Sequence, residues 1–240
     1  MTDTLDIDDD ATWPEEIRLA IEQIIVDRPE ILEAKNDDEL LLTFDERNQI
    51  EDLLTRVPIV VYHATRLLPH EIESVNRDGL KPLSNDLVSS RINGAVASGD
   101  LDKKVAIRLR EAGLSDADDE NRRAQICFAT SRNAIRSRYH FQNLFGYWGG
   151  EVIYGNFIDD YDMRAHLSIG QPTLIKALVH LDAPTISYFN FDPILCLVAV
   201  KAGVRAEGTI HLSSLPLQSI LEVITPNHPN WKVIQPLSID

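Results

Sequence analysis

The chain is poor in several residues at once. Of its 240 residues, two are cysteine, two methionine and three tryptophan. Cys127 and Cys196 lie in apolar runs, "QICFA" and "ILCLVAV", so the expectation is two buried free thiols at strand positions and no disulfide. CxxC and HExxH spacings are missing, and His180 and His211 alternate with apolar residues as strand histidines do, so no metal is expected. GxGxxG, GxxxxGK[ST] and GxSxG are missing too, which removes sequence support for Rossmann and P-loop nucleotide binding and for a serine-nucleophile elbow. No apolar run nears the roughly 18 residues that span a bilayer. The start, "MTDTLDIDDD", is acidic where a targeting segment is basic. A cytoplasmic protein without a membrane partner is expected.

Basic residues are scarce in one place above all. Residues 1–55 hold 18 Asp and Glu against 4 Lys and Arg, whereas residues 56–240 hold 20 against 19. The chain therefore reads as a nearly neutral domain, 56–240, behind an acidic segment, 1–55. Such a segment repels phosphates, which argues against nucleic acid as a partner. It reads as a solvated acidic face, or as a segment that covers a basic cleft or docks a basic protein.

The first dozen residues read as disordered. Thr12, Pro14 and Glu15 predict a capped helix carrying Ile17, Ala20, Ile21 and Ile24, and Thr43 with Glu46 predicts a second capping box before Ile50 and Leu54. Together they make the acidic segment a helical appendage. From Pro58 the pattern changes. "PIVVYHAT" and "AQICFATS" predict buried strands; between them Pro69 opens one helix stopped at Gly79, Ser84 caps a second stopped at Gly99, and Asp100 caps a third stopped at Gly113. Ser131 caps a helix with Arg132, Arg136 and Tyr139. "WGGEVIYG" predicts a paired-glycine turn opening a strand at Glu151, and "DYDMRAHLSIG" a short helix. "TLIKALVHL", "PILCLVAVKAG", "EGTIHL" and "SILEVITP" predict further strands. Helices that precede and interrupt a late run of strands predict an α+β fold.

His63, at the end of the first strand, is flanked by apolar residues and followed by Ala64 and Thr65. It reads as a satisfied core histidine, or as a ring nitrogen presented from a strand end beside a backbone open to close approach. The stretch "VVYHATRLLPHEIESVNRDGLKPLS" resembles the opening of the ADP-ribosyltransferase-fold families: poly-ADP-ribosyl polymerases, bacterial mono-ADP-ribosyltransferase toxins and RNA 2′-phosphotransferases. Their histidine-type members open with a strand ending in His-Gly-Thr or His-Gly-Ser and a helix patterned "I…GL". His63-Ala64-Thr65, Ile72 and Gly79-Leu80 match, with Ala64 in place of the usual glycine.

The resemblance implies a split β-sheet core over residues 56–240 and NAD as substrate. His63 would bond the adenosine ribose, the main chain at Ala64 would hold the nicotinamide amide, and Thr65 would help anchor the dinucleotide. Tyr139 or Tyr147 would stack on nicotinamide. Ser131, at a helix start, with Arg132 and Arg136 on one face, could hold the pyrophosphate; without the resemblance these arginines read as a solvated helix face. A late glutamate would stabilise an oxocarbenium-like ribose. Glu151, Glu207 and Glu222 compete for that place, and Glu151 is the favoured candidate against the alternative of a strand-start carboxylate bonded to nearby backbone. The implied activity is ADP-ribosyl transfer to an acceptor, or NAD hydrolysis. Two alternatives stay open: a non-catalytic interaction module of immunity or toxin–antitoxin type that uses the acidic helices, and an RNA 2′-phosphotransferase.

Overall fold

The structure is a computed structural model that describes residues 4–36, 39–113, 122–136, 138–183, 186–190, 193–204 and 208–233. In chain order, helices α1 (Glu15–Asp27) and α2 (Phe44–Leu54) precede strand β1 (Ile59–Leu67). Helices α3 (Pro69–Asp78), α4 (Asn85–Ala97) and α5 (Lys103–Ala112) lead to β2 (Ile126–Ala129). Four short helices follow: α6 (Arg132–Ile135), α7 (Arg138–Gly146), α8 (Glu151–Tyr154) and α9 (Tyr161–His166). The chain then runs through β3 (Gln171–Val179), β4 (Ile186–Asn190), α10 (Pro193–Ala202), β5 (Thr209–Leu212) and β6 (Ile220–Ile224). The fold is α+β.

The strands form one antiparallel sheet in the order β4-β5-β2-β1-β3-β6. Its two halves are joined unequally. β1 pairs with β3 along its whole length, with His63 opposite Ile175 and Thr65 opposite Thr173. β1 meets β2 at a single Cα pair, Tyr62 and Ala129. The sheet is thus nearly divided between β1 and β2.

Strand alternation sends odd and even residues of β1 to opposite faces. Ile59 and Val61 join Phe128, Ile210 and Leu197 in a core covered by α1, α2 and α10. Val60 and Tyr62 face the other way, toward Phe145, Ile224 and Trp231. Ile17, Ile21, Ile50 and Leu54 of the acidic segment belong to the first of these cores, so its helices are packed against the sheet. A separate apolar lobe joins α4, α5, α8 and α9 around Ile92, Leu109, Trp148 and Met163.

Several local expectations hold. Thr43 and Glu46 form the reciprocal capping box, Ser84 caps α4, and Gly79 closes α3 at φ 81°. Others are corrected. The first residues described are not disordered: Leu5 and Ile7 are 0% exposed, and Leu5 bridges in parallel to Ile59 through bonds to Pro58 and Val60. This strap lies against β1. Thr12 does not cap α1; its hydroxyl accepts from the Asp6 N–H and donates to Asp9, while α1 starts after Pro14 with no side-chain cap. Asp102, not Asp100, caps α5. "PILCLVAVK" is the helix α10 and not a strand, and Cys196 is buried within it. A ten-residue run buried on most sides gives no periodicity to separate the two states, and its length suits a helix. "EVIY" is also helical. Gly149 and Gly150 hold φ of 93° and 72°, a left-handed entry that turns the chain into α8.

Candidate functional site

His63 lies where β1 and β2 part. Instead of continuing the ladder, its Nδ1 lies 2.8 Å from the carbonyl oxygen of Cys127. A carbonyl only accepts, so Nδ1 carries the proton and Nε2 is left as an acceptor. The ring packs at 5.7 Å from Phe128, tilted by 59°. Burial pushes its pKa below the ordinary value; the Cys127 bond opposes that shift, and the charge of Arg91 adds to it. His63 is therefore a neutral imidazole at neutral pH with one fixed tautomer. Thr65 and Thr173, paired across β1 and β3, are buried on the same face.

A polar niche elsewhere joins three elements. Glu71, on the first turn of α3, accepts from the Leu68 N–H and from Trp148 Nε1, both at 2.8 Å, through one oxygen. Its other oxygen accepts from Arg91 Nε of α4 at 2.6 Å. The Arg91 guanidinium lies 5.2 Å over the Trp148 ring. The Arg91 and Glu71 side chains are 18% and 9% exposed. Sequence reading missed both residues, yet the signal was present. Leu68, Glu71, Ile72 and Val75 share one helical face, as do Val88, Arg91, Ile92 and Ala95. Opposite charges on two apolar stripes mark a buried pair.

Ser131 and Arg132, expected to hold a pyrophosphate, are engaged by the acidic strap. Asp8 accepts from Ser131 Oγ at 2.5 Å, from the Arg132 N–H at 2.5 Å and from Arg132 Nε at 3.2 Å. Asp6 accepts from the Tyr62 hydroxyl at 2.8 Å and lies 3.7 Å from Lys176 Nζ. Burial, and then Asp6, pushes the Tyr62 phenol well above its ordinary range. Ser131 caps α6 as expected, but the helix has only four residues and ends at Arg136. Acidic residues of the strap thus pair with Arg132 and Lys176 within the chain.

The remaining candidates are dispersed. Tyr139 lies on α7, its side chain outside the described residues. Tyr147 belongs to the helical lobe, where its hydroxyl accepts from Arg164 and its ring lies 4.4 Å below that guanidinium. Glu151 is 52% exposed and pairs with Arg122 at 2.6 Å. No hydrogen bond or ion pair among the described residues joins it to His63. Glu222 accepts from Asn230, and Glu207 lies outside the described residues. His211 is bonded to Gln125. Ala64 lies half-buried on the face opposite His63, beside Tyr62 and Leu174.

That opposite face carries a groove of about 580 Å³ lined by Phe141, Phe145, Pro172, Pro226 and Trp231. Its one side-chain amide is Gln142, and no titratable side chain lines it. It could seat an apolar ring but offers no acid or base. Among the described residues no group of three or more His, Cys, Asp or Glu could hold a metal, and no helix is long and apolar enough to cross a membrane. No protein-family model matches the chain, nor does any curated protein sequence or solved structure.

Proposed function

We propose that the chain breaks the nicotinamide–ribose bond of NAD at a site organised by His63, passing ADP-ribose to an acceptor or to water. The observation that carries this reading is the fixed tautomer: Nδ1 donates to Cys127, which leaves Nε2 to accept from a ribose hydroxyl. The near-division of the sheet supports it. Beyond Tyr62 and Ala129, β1 has no paired β2 residue, so the ladder between these strands stops before Ala64. An α+β core divided at this strand also accords with the ADP-ribosyltransferase-like architecture that the "YHAT" stretch implies.

In the reaction, the bond between the ribose anomeric carbon and the nicotinamide nitrogen breaks, and nicotinamide leaves with the electron pair. The acceptor or water oxygen bonds the same carbon and releases its proton to solvent. By the resemblance Glu151 would stabilise the cationic ribose; in the structure its exposed carboxylate pairs with Arg122. Ser131 and Arg132 are left out of the ligand site, because Asp8 holds them.

The test is nicotinamide release from NAD by wild type, His63→Ala and Glu151→Gln. Removal of a group that stabilises transition-state charge costs about 100-fold or more, and Glu151→Gln should fall by that order; His63→Ala, which loses a hydrogen bond to the ligand, should fall about tenfold. Activity unchanged in His63→Ala would end the assignment of the site.

A further inference from the structure

Ten large apolar residues of the described chain are exposed, and five of them, Leu19, Val26, Leu32, Leu41 and Phe44, fall in the acidic segment. That segment is less than a quarter of the chain. Single exposed apolar residues are ordinary on a protein surface. On α1, however, they are in register. Ile17, Ala20, Ile21 and Ile24 turn inward to the sheet. Leu19 and Val26, 53% and 72% exposed, lie on the opposite face. One heptad separates them, about 10 Å along the helix axis. Glu15 and Glu22 fall on the same stripe, four and three residues from Leu19 on either side, and both are exposed. The outward seam of α1 therefore alternates acid and apolar residue: Glu15, Leu19, Glu22, Val26.

The acids of this segment divide into two sets. Asp6, Asp8 and Asp10 are engaged inside the fold with Tyr62, Lys176, Ser131, Arg132 and Lys201. Glu15 and Glu22 have no hydrogen bond or ion pair among the described residues. We propose that the outward face of α1 docks a basic amphipathic helix of another protein. That helix would carry apolar residues a heptad apart against Leu19 and Val26, with Lys or Arg beside them against Glu15 and Glu22. Charge selects this occupant. Nucleic acid and anionic lipid are repelled, and a second copy of the chain would set glutamates against glutamates. The apolar contacts supply affinity and the flanking charge pairs fix orientation, as in a heptad seam. The proposal stands apart from NAD cleavage and does not rest on it.

The experiment is a calorimetric titration of the full chain with a synthetic helix of about three heptads, leucine at a and d and lysine at e and g, which keeps it from pairing with itself. A peptide of the same composition in scrambled order runs beside it. Expected is saturable binding of the ordered peptide, weakened at least about tenfold by Leu19→Ser/Val26→Ser and by Glu15→Lys/Glu22→Lys. These side chains face solvent, so both pairs of substitutions should leave the fold intact. Ile107→Ser, at an exposed apolar residue of α5, should leave binding unchanged. No saturable binding, equal binding of the scrambled peptide, or an equal loss with Ile107→Ser overturns the proposal. So does a dimer of the chain alone, or binding to phosphatidylcholine vesicles, that Leu19→Ser/Val26→Ser abolishes.

Discussion

Asp8 and Ser131, 123 positions apart in the sequence, are joined by a hydrogen bond of 2.5 Å. With the Arg132 main-chain and side-chain bonds, it fixes the acidic strap across the end of β2. The Asp8 side chain is 6% exposed, so its removal leaves the Arg132 charge half-buried without this partner. Asp8→Ala should lower stability by about 3 kcal/mol, as breaking one half of a buried pair does. Asp10→Ala, which removes a solvent-exposed partner of Lys201, should change little. Urea denaturation of the two variants side by side checks this. Equal effects would mean that the strap is not locked by Asp8.

The Glu71–Arg91 pair gives a second stability prediction. Glu71→Gln keeps the side-chain shape but leaves a buried guanidinium without its carboxylate, and should cost about 3 kcal/mol. Trp148 donates to the same oxygen, so its near-ultraviolet dichroism should change with the substitution. A variant with wild-type stability and spectrum would show that the niche is not held as described.

The histidine gives a pH dependence whose sign follows from its lowered pKa. The unfolded chain protonates His63 near the ordinary value of 6.5, whereas the native state resists protonation. The unfolded state then binds more protons below that pH, so stability falls as pH drops from about 6.5 toward the native value. Above it, His63 contributes no pH dependence. His63→Gln should flatten this limb of the stability–pH curve. Superimposable slopes for variant and wild type would contradict a native imidazole held neutral.

The two glycines before Glu151 separate strain from sterics. A Cβ at Gly149 would come within 2.4 Å of Ile153 Cδ1, whereas one at Gly150 meets nothing within 4 Å. Gly150→Ala should cost about 1–3 kcal/mol from its backbone conformation alone. Gly149→Ala carries the same kind of strain plus the clash, and should be the worse of the two by thermal unfolding. The opposite order would mean that α8 is not entered as described.

Features coded by neighbouring residues were legible in the sequence. β1, β3, the Thr43–Glu46 capping box, the Ser84 cap and the Gly79 stop each depend on residues a few positions apart. Features that depend on distant partners were not. "DIDDD" looks disordered until Arg132, 124 residues beyond Asp8, is placed beside it. Glu71 looks like a first-turn acid until Trp148, 77 residues away, donates to it. The run around Cys196 misled for another reason: burial on most sides removed the alternation that tells strand from helix. His63 was legible as a candidate from "YHAT", but its tautomer depends on a carbonyl of β2. Glu151 was legible as an unusual position, and its helical setting was hidden because paired glycines open helices and strands alike.

We propose that this chain cleaves NAD at a site around His63. The most direct measurement is nicotinamide formation from NAD by the purified chain, followed beside a buffer blank and His63→Ala. Expected is release above the blank that His63→Ala cuts by about tenfold or more. Release by wild type no faster than the blank, or release that His63→Ala leaves intact, would contradict it.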